Sequence, residues 1–577
     1  ATAIKQCDGF IHSKNGNKVP KMTTRGWSLE VEWKDGSASW VPLKDLKLAN
    51  PVELAEYAVA NNLEHEPAFH WWVNDTLRKR ERIISKVKAK YWRTTHKFGI
   101  EVPKTAEEAY AIDQKTGTSL WTAAIDKEMK NVRVAFETQD GVTVDEMKTG
   151  KVKPGYKFIT THMIFDIKMD GKFTRKARLV ADGHKTDTPS SITYSSVVSR
   201  ESVRLGLLIA ALNDLDIACC DIGNAYLNAD CREKLWTIAG AEFGSEKGAV
   251  MLIVRALYGL KSSGAAWRAK LAETLDTMGY IPTQADPDVW RRTAVKPSGE
   301  TYYAYMLVYV DDVLHIHHNP KEDMDKLNGF YRLKDGWSSP DRYLGANIEK
   351  VQLPDGSMAW SMTCVDYCKG AIKNVENILE KNKVALKMFG DGHRPFPSSY
   401  RPELEVSPTL NAELTNTYQQ HIGALRWAIE LGRIDILTEV SCLAQYSCAP
   451  REGHLQAIYK IFRYLQKNLS RNPGRVVFDP FLQHTDEKVF EMGAKTKEEW
   501  NDFYPDAAEE MPSDMPEPLG KAVIIRAYVD ANHAGNLANR RSHSGIIIYV
   551  NNAPITWYSK RQNTVESSSF GSEFVEI

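Results

Sequence analysis

The sequence predicts a multidomain α+β protein, and three observations carry this prediction. The chain has 577 residues, several times the roughly 150 that one domain usually contains. Runs rich in Tyr, Val, Leu and Ile, such as TYYAYMLVYV at 301–310, are typical of strands. Apolar residues that recur every three or four positions, as in GHLQAIYKIFRYLQKNL at 453–469, predict helices with one buried face.

Composition and charge narrow the class of protein. Apolar residues make up 43% and charged residues 26% of the chain, which are ordinary values for a globular protein. Because no run of about 18 apolar residues occurs, we expect no membrane partner. The net charge is zero, which excludes a uniformly basic surface but permits a local basic channel. The eight cysteines form no CxxC pair, which predicts reduced thiols in an intracellular protein without a zinc site.

The N-terminal part of the chain is predicted to contain two segments. Residues 1–50 alternate polar and apolar around a Lys-Asp-Gly turn and resemble a chromo-like or SH3-like module, or the tail of an integrase. Trp33 lies where a chromodomain has one aromatic residue of its methyl-lysine cage, but a structural or nucleic-acid-contacting role is the interpretation we favour. Residues 51–115 are predicted to be a helical basic connector. Its basic run at 76–97 suits either a phosphate backbone or a solvated linker helix.

Two adjacent aspartates interrupt the strand-like run at 301–318. Asp311 and Asp312 of the sequence YVDD would lie at a turn between two strands, where aspartate is common for conformational reasons alone. A third carboxylate, Asp221, follows the apolar strand IACC in DIGNAYLN. One aspartate on its own strand and two on a hairpin would provide oxygen-only ligands for two Mg²⁺ ions about 3.5 to 4 Å apart. This arrangement favours the interpretation of YVDD as part of a metal site for phosphoryl transfer over its interpretation as a turn alone.

A series of motifs extends along the chain from about residue 105 to the C-terminus. In chain order they are SLWTAAIDKEM (119–129), KARLVADGH (176–184), DIGNAYLN (221–228), RALYGLKSSGAAW (255–267), YVDD (309–312), RYLGANI (342–348), AYVDANHAG (527–535) and GSEF (571–574). Their order resembles the reverse transcriptase of copia-type (pseudovirus) LTR retrotransposons.

This resemblance implies a right-hand polymerase with fingers, palm and thumb, followed by a partial ribonuclease H-like α/β domain. Fingers and palm would cover 116–400, and a helical thumb would cover 401–472. The ribonuclease H-like domain would cover 473–577, with an acidic insertion at 484–518 and a truncated C-terminal end.

The resemblance also implies roles for the three carboxylates and a nearby tyrosine. Asp221 and Asp311 would bind two Mg²⁺ ions, for which Mn²⁺ is an alternative, and Asp312 would complete the catalytic group. Tyr226 matches the aromatic gate that excludes the 2′-hydroxyl of a ribonucleotide. The aspartates would therefore act as metal ligands and not as general bases.

Four residues match the nucleotide-binding positions of the family. Lys176 and Arg178 lie on one face of a predicted strand, because side chains alternate with a period of two, and they would meet the incoming triphosphate. Tyr258 and Gly259 of LYGLK would lie at the nucleotide pocket. The family usually has a proline three residues after the LK lysine, where this chain has Gly264, so we expect a different local backbone there.

Further matches lie downstream. Leu344 and Gly345 match the primer-grip turn. Asp530 and Glu573 match the first two metal carboxylates of ribonuclease H, but the later aspartate ligands have no counterpart, so we expect that site to be incomplete. The stretch ELGRID retains Asp435 but lacks the family's proline.

We therefore expect an enzyme that makes DNA from RNA or DNA templates. Its implied partners are an RNA template, a DNA primer, the RNA–DNA hybrid and dNTPs, with a second copy or an integrase as further partners. Cytoplasmic virus-like particles and the nucleus are the expected locations. Two alternatives stay open: a non-catalytic nucleic-acid-binding scaffold, and a fragment of an integrase–reverse transcriptase polyprotein, which the start without methionine would fit.

Overall fold

The structure is a computed structural model, and the chain forms two compact units, Ala1–Thr95 and His96–Ile577. It describes residues 10–12, 18–24, 26–32, 38–49, 51–78, 96–97, 100–168, 172–183, 195–381, 383–397, 399–481, 515–521 and 523–575. Within these residues no helix has the length and apolar character that a membrane crossing requires.

The first unit contains two antiparallel strand pairs followed by short helices. Its elements are β1 (Phe10–His12), β2 (Lys18–Pro20), β3 (Ser28–Glu32), β4 (Ala38–Pro42), α1 (Leu43–Ala49), α2 (Pro51–Ala60) and α3 (Val73–Arg78). Leu43, Phe69 and Trp72 are buried in its small core. Trp33 and most of the basic run 76–97 lie outside the described residues, so the methyl-lysine cage and the chromo-like assignment stay predictions.

The second unit contains all the motifs that resemble a polymerase. Its strands are β5 (His96–Lys97), β6 (Ile100–Glu101), β7 (Phe136–Thr138), β8 (Lys157–Phe158), β9 (Thr161–Ile167), β10 (Arg175–Ala181), β11 (Asp216–Ile222), β12 (Asp230–Ile238), β13 (Val250–Arg255), β14 (Ile281–Pro282), β15 (Val289–Val295), β16 (Thr301–Tyr309), β17 (Asp312–His317), β18 (Leu333–Ser338), β19 (Arg342–Tyr343), β20 (Ala346–Gln352), β21 (Met358–Thr363), β22 (Val476–Phe478), β23 (Ile525–Ala531), β24 (His543–Val550) and β25 (Ala553–Arg561). Its helices are α4 (Ala106–Thr116), α5 (Leu120–Val132), α6 (Val144–Lys148), α7 (Arg200–Leu212), α8 (Ser263–Thr277), α9 (Lys321–Phe330), α10 (Val365–Lys381), α11 (Ala412–Glu430), α12 (Leu437–Ala444), α13 (Glu452–Asn468) and α14 (Ser569–Phe574). The mixed α and β composition that the sequence predicts is confirmed.

A six-stranded sheet in the order β14-β15-β16-β17-β11-β18 forms the centre of this unit. Helix α7 packs on it and begins at the cap residue Ser199, whose hydroxyl accepts the backbone N–H of Ser202. Leu207 and Leu208 of this helix are buried with the apolar residues of β16 and β17. The largest hydrophobic core of the described residues therefore lies directly behind the YVDD hairpin.

A second core lies between helices α4 and α5 and the strands that follow them. Strands β9 and β10 form an antiparallel hairpin in which Arg178 pairs with Ile164. Ala177 and Leu179 face the core with Trp121 of α5, while Arg178 between them is partly exposed. The period-two alternation predicted for KARLV is therefore observed.

The C-terminal strands do not pack as a separate body. Strand β22 pairs with β21 in the sheet β19-β20-β21-β22, although the sequence placed it in the ribonuclease H-like segment. The three-stranded sheet β23-β24-β25 contributes Ile555 and Trp557 to the same core as the central sheet. Apolar residues on both sides of the predicted 472/473 boundary belong to one core. The division between the two compact units falls at 95/96.

Arg204 connects helix α7, helix α11 and the C-terminal sheet. Its side chain is only 3% exposed, and its guanidinium donates to the carbonyl oxygens of Ile555 and Glu430, both at 2.7 Å. The same group lies 3.7 Å from the ring centroid of Trp557, which is cation–π geometry. A buried cation with these partners holds the C-terminal sheet against the polymerase-like body.

We predict that Arg204→Met loosens the C-terminal sheet. Methionine keeps much of the volume, but it leaves the Ile555 and Glu430 carbonyls without a donor, at about 1–3 kcal/mol for each buried acceptor. Hydrogen exchange should become faster in strands β24 and β25, and the urea midpoint should fall.

Arg200→Met is the matched control, because Arg200 lies one turn earlier on the same helix and is 46% exposed in its pair with Glu430. It should cost less than about 1 kcal/mol. Equal effects of the two substitutions would contradict a special role for Arg204.

Candidate active site

The YVDD residues form the tip of the β16–β17 hairpin. Tyr309 pairs with Asp312, so the two turn residues are Val310 and Asp311, and Asp312 is the first residue of β17. Val310 has a φ of +60°, a conformation that is strained for a β-branched side chain. A type II′ turn takes glycine at this first position, but the chain has valine.

Strand β11 places the third carboxylate beside this turn. Asp221 pairs with Asp312 across the β11–β17 ladder, and the N–H of Ile222 donates to the carbonyl oxygen of Asp311 at 2.7 Å. Burial and the charge of Asp221 raise the pKa of Asp311. Burial and the two other carboxylates raise the pKa of Asp312 to about 6. The structure therefore gathers all three predicted catalytic aspartates.

Lys334 supplies positive charge to this group. Its Nζ donates to Asp221 Oδ2 at 2.8 Å, and this bond raises the pKa of Lys334. Among the described residues, no three His, Cys, Asp or Glu side chains stand in a metal-binding arrangement. The donors nevertheless suit Mg²⁺ chemically, because all of them are carboxylate oxygens, the ligands that this ion prefers.

Four of the predicted nucleotide-binding residues lie near Asp311. The Arg178 guanidinium lies 4.5 Å from the ring centroid of Tyr258, whose ring lies 4.6 Å from that of Tyr226. Burial and the neighbouring Arg178 lower the pKa of Lys176, and the charge of Asp311 opposes this. Two cations and two aromatic rings therefore lie within electrostatic range of Asp311.

Glu128 is a site residue that the sequence reasoning missed. It lies on α5, and its Oε1 accepts the backbone N–H of Leu179 at 3.1 Å. Burial raises its pKa, and the charges of Arg178 and Lys176 oppose this shift. Its only signal in the sequence was its place in SLWTAAIDKEM. Glu128 ties the strand that carries both cations to the helix behind it.

Gly259 has a backbone role in this site. Its φ is +91°, and a Cβ there would collide with the carbonyl oxygen of Ala181. A Cβ at Gly183 would in turn collide with the carbonyl oxygen of Gly259. The N–H of Ala181 donates to the Tyr258 carbonyl oxygen at 2.8 Å. The two glycines therefore let the LYGLK segment approach the end of β10 closely, which brings Tyr258 to Arg178.

Leu344 and Gly345 form the predicted tight turn between β19 and β20, with φ values of +47° and +88°. Gly345 packs near the indole nitrogen of Trp427. Tyr343, directly before the turn, is buried, and after burial the charge of Asp312 is the next cause that raises its pKa. The turn therefore follows a buried tyrosine that lies within electrostatic range of Asp312.

The predicted ribonuclease H carboxylates lie on neighbouring elements. Asp530 is near the end of β23 and Glu573 is on α14, which packs against β23, and both are exposed. Ser572 of this helix is held by the hydroxyl of Ser542 at 2.9 Å. A metal-binding role for Asp530 and Glu573 stays a prediction.

The two departures from the family pattern have structural explanations. The different local backbone expected at Gly264 is not observed: this residue lies in the first turn of α8, where proline and glycine are both accommodated because the N–H has no helical partner. Asp435 pairs with the fully buried Arg433 at 2.6 Å, and Arg433 also donates to the carbonyl oxygen of Asn472 at 2.9 Å. Asp435 therefore stabilises the packing between α11 and β22.

Comparisons with known proteins find one matching family and several similar transposon proteins. Residues 145–385 match the family described as reverse transcriptase (RNA-dependent DNA polymerase). The retrovirus-related Pol polyproteins from transposons RE1 and RE2 of Arabidopsis thaliana are each 25% identical, over 71% and 86% of this chain and 24% and 29% of their own length. A putative transposon Ty5-1 protein of Saccharomyces cerevisiae is 24% identical over 59% of this chain and 92% of its own length.

The chain spans less than a third of the Pol polyproteins that it matches. A solved structure, the foamy viral protease-reverse transcriptase dRH in complex with ds DNA, covers 79% of this chain and 58% of its own at 13% identity, with a TM-score of 0.38. The family match and the transposon relatives confirm the resemblance to copia-type retrotransposon reverse transcriptases.

We predict that Gly259→Ala destabilises the second unit by at least about 2 kcal/mol, because it combines a strained φ with a backbone collision. Thermal or urea unfolding would measure the loss.

Gly299→Ala is the control, since Gly299 has a φ of +88° and a Cβ added there would meet no atom within 4 Å. This variant would report the φ strain alone. Equal losses in the two variants would mean that the LYGLK segment moves away at little cost.

Proposed function

We propose, from the premise that residues 145–385 form a reverse transcriptase domain, that this chain is an RNA-directed DNA polymerase of a copia-type LTR retrotransposon. The observation that carries the proposal is the meeting of Asp221, Asp311 and Asp312 at the β11–β17 ladder and the hairpin turn. The reaction joins a primer 3′-hydroxyl to the α-phosphate of a dNTP and releases pyrophosphate. RNA and DNA would both serve as templates.

The residues of the site would have different roles in this reaction. Asp221 and Asp311 would hold two Mg²⁺ ions, which when bound lower the pKa of the attacking hydroxyl and stabilise charge on the leaving group. Asp312 adds negative charge beside them. Lys176 and Arg178, near Asp311, would attract and orient the triphosphate. Positioning and electrostatic stabilisation then supply most of the catalysis, as in phosphoryl transfer generally.

The architecture fits a right hand. The central sheet with the YVDD hairpin would be the palm, and the β9–β10 hairpin with α4 and α5 would be the fingers. Helices α11 to α13 would be the thumb, and the turn at Leu344 and Gly345 would position the primer end. The sheet β23-β24-β25 with α14 would be the ribonuclease H-like domain.

The binding partners in this proposal are the template, the primer, their RNA–DNA hybrid and dNTPs. We also propose two Mg²⁺ ions per polymerase site, with Mn²⁺ as an alternative. The proposed locations are virus-like particles in the cytoplasm and the nucleus. The scaffold alternative is less well supported, because a scaffold has no need to hold three mutually repelling carboxylates together.

Primer extension on poly-rA/oligo-dT with Mg²⁺ tests the proposal. We predict extension by the parent, no extension with EDTA, and a loss of at least about 100-fold in Asp311→Asn, since the amide cannot replace a charged metal ligand. Asp276→Asn, an exposed carboxylate on α8, is the control and should extend normally. Folded parent protein that binds the hybrid without extending it would favour the scaffold.

Tyr226 would select the sugar. Its ring packs on Tyr258, and we propose that it closes the space that a ribose 2′-hydroxyl would need. We predict that Tyr226→Ala lowers the ratio of kcat/KM for dNTPs over rNTPs by at least about tenfold, whereas Tyr226→Phe, which keeps the ring, retains it. Unchanged selectivity in Tyr226→Ala would rule out the gate.

A further inference from the structure

We infer that Trp267 is a positioning residue for the polymerase reaction, holding the peptide group between Val310 and Asp311 in the orientation that aims the Asp311 carboxylate. The inference rests on the proposed function for its kinetic consequence. It starts from a hydrogen bond of Trp267 to which the motifs of the sequence assign no role. The indole Nε1–H of Trp267 donates to the carbonyl oxygen of Val310 at 2.8 Å.

The hairpin turn needs such a contact. Val310 has a positive φ, and a β-branched residue keeps this conformation only when its surroundings impose it. The Val310 carbonyl and the Asp311 N–H belong to one planar peptide unit. Fixing that carbonyl therefore fixes the plane from which the Asp311 side chain projects.

The following peptide is fixed independently. The carbonyl oxygen of Asp311 accepts the N–H of Ile222 at 2.7 Å, which is part of the contact between the hairpin and β11. With the indole on one peptide and β11 on the next, both backbone groups that flank the Asp311 Cα are held. The carboxylate then retains only its own side-chain rotations.

Trp267 is itself held rigidly. It is 2% exposed, and its ring packs edge-on against Tyr331 with centroids 5.2 Å apart. The next residue on the helix, Arg268, donates to Asp288 at 2.8 Å, and the Asp288 carbonyl oxygen accepts the N–H of Val308 at 3.0 Å. Helix α8 is thereby bonded to strand β16 two residues before the turn begins.

An indole suits this task because its nitrogen is a donor only. The hydrogen bond cannot reverse, so it selects the turn conformation whose Val310 carbonyl points into α8. Phenylalanine would fill most of the same space without the donor. The substitution Trp267→Phe therefore separates hydrogen bonding from packing.

The experiment measures single-nucleotide extension by the parent, by Trp267→Phe and by Trp290→Phe. Trp290 is the matched control, because it is a buried tryptophan of the same core and lies on β15. We expect Trp267→Phe to lower kcat at least tenfold while the dNTP KM and the primer–template Kd change less than threefold. Trp290→Phe should change kcat less than threefold.

A substitution that relieves the backbone strain at Val310 distinguishes loss of the hydrogen bond from loss of packing. Glycine accepts a positive φ at Val310 without strain, so in a Val310→Gly background the turn depends less on the indole. There, Trp267→Phe should lower kcat less than threefold. An undiminished effect in that background, or a kcat loss matched by Trp290→Phe, would overturn the inference and leave Trp267 a core residue.

Hydrogen exchange separates this inference from the proposed function. In the absence of substrates, exchange in the peptide covering 306–316 should become at least tenfold faster in Trp267→Phe and stay unchanged in Trp290→Phe. A parent without polymerase activity would overturn the proposed function, and the exchange result would still show whether Trp267 holds the turn. Unchanged exchange in Trp267→Phe would overturn the inference in either case.

Discussion

Three carboxylates that repel one another have to be held together at the end of one β-ladder, and much of the second unit supports that arrangement. Burial and mutual repulsion raise the pKa of Asp311 and Asp312, so the site is destabilising to the free protein. It persists because β11 lies between β17 and β18 in a sheet packed on a large core. Functional sites often lower the stability of the folded protein, and the packing of the surrounding fold offsets that loss.

Close backbone approach brings the cations to this site. Gly183 and Gly259 let the end of β10 lie against the LYGLK segment, and Glu128 holds β10 from the other side through the N–H of Leu179. As a result Arg178 lies over Tyr258, next to Tyr226. The arrangement of positive charge beside the carboxylates thus depends on two glycines as well as on the Glu128 side chain.

The C-terminal sheet belongs to the same packed body. Arg204 and Trp557 join it to helices α7 and α11, and Ser441 of α12 donates to the carbonyl oxygen of Ser559 at 2.7 Å. The distance of this sheet from the three aspartates is therefore set by these buried contacts.

The sequence by itself determined several elements of the site: the YVDD hairpin, the Asp221 strand and the alternation of KARLV follow from local patterns of period and turn residues, and the turn at Gly345 follows from the resemblance of its motif. Tertiary structure decided what those elements touch. Glu128, Lys334 and Trp267 became visible only there, because their partners are remote in sequence and because a helix periodicity does not show which buried polar group a side chain meets. The core that residues before and after 472/473 share also became visible only in the tertiary structure, since such a core leaves no mark in composition.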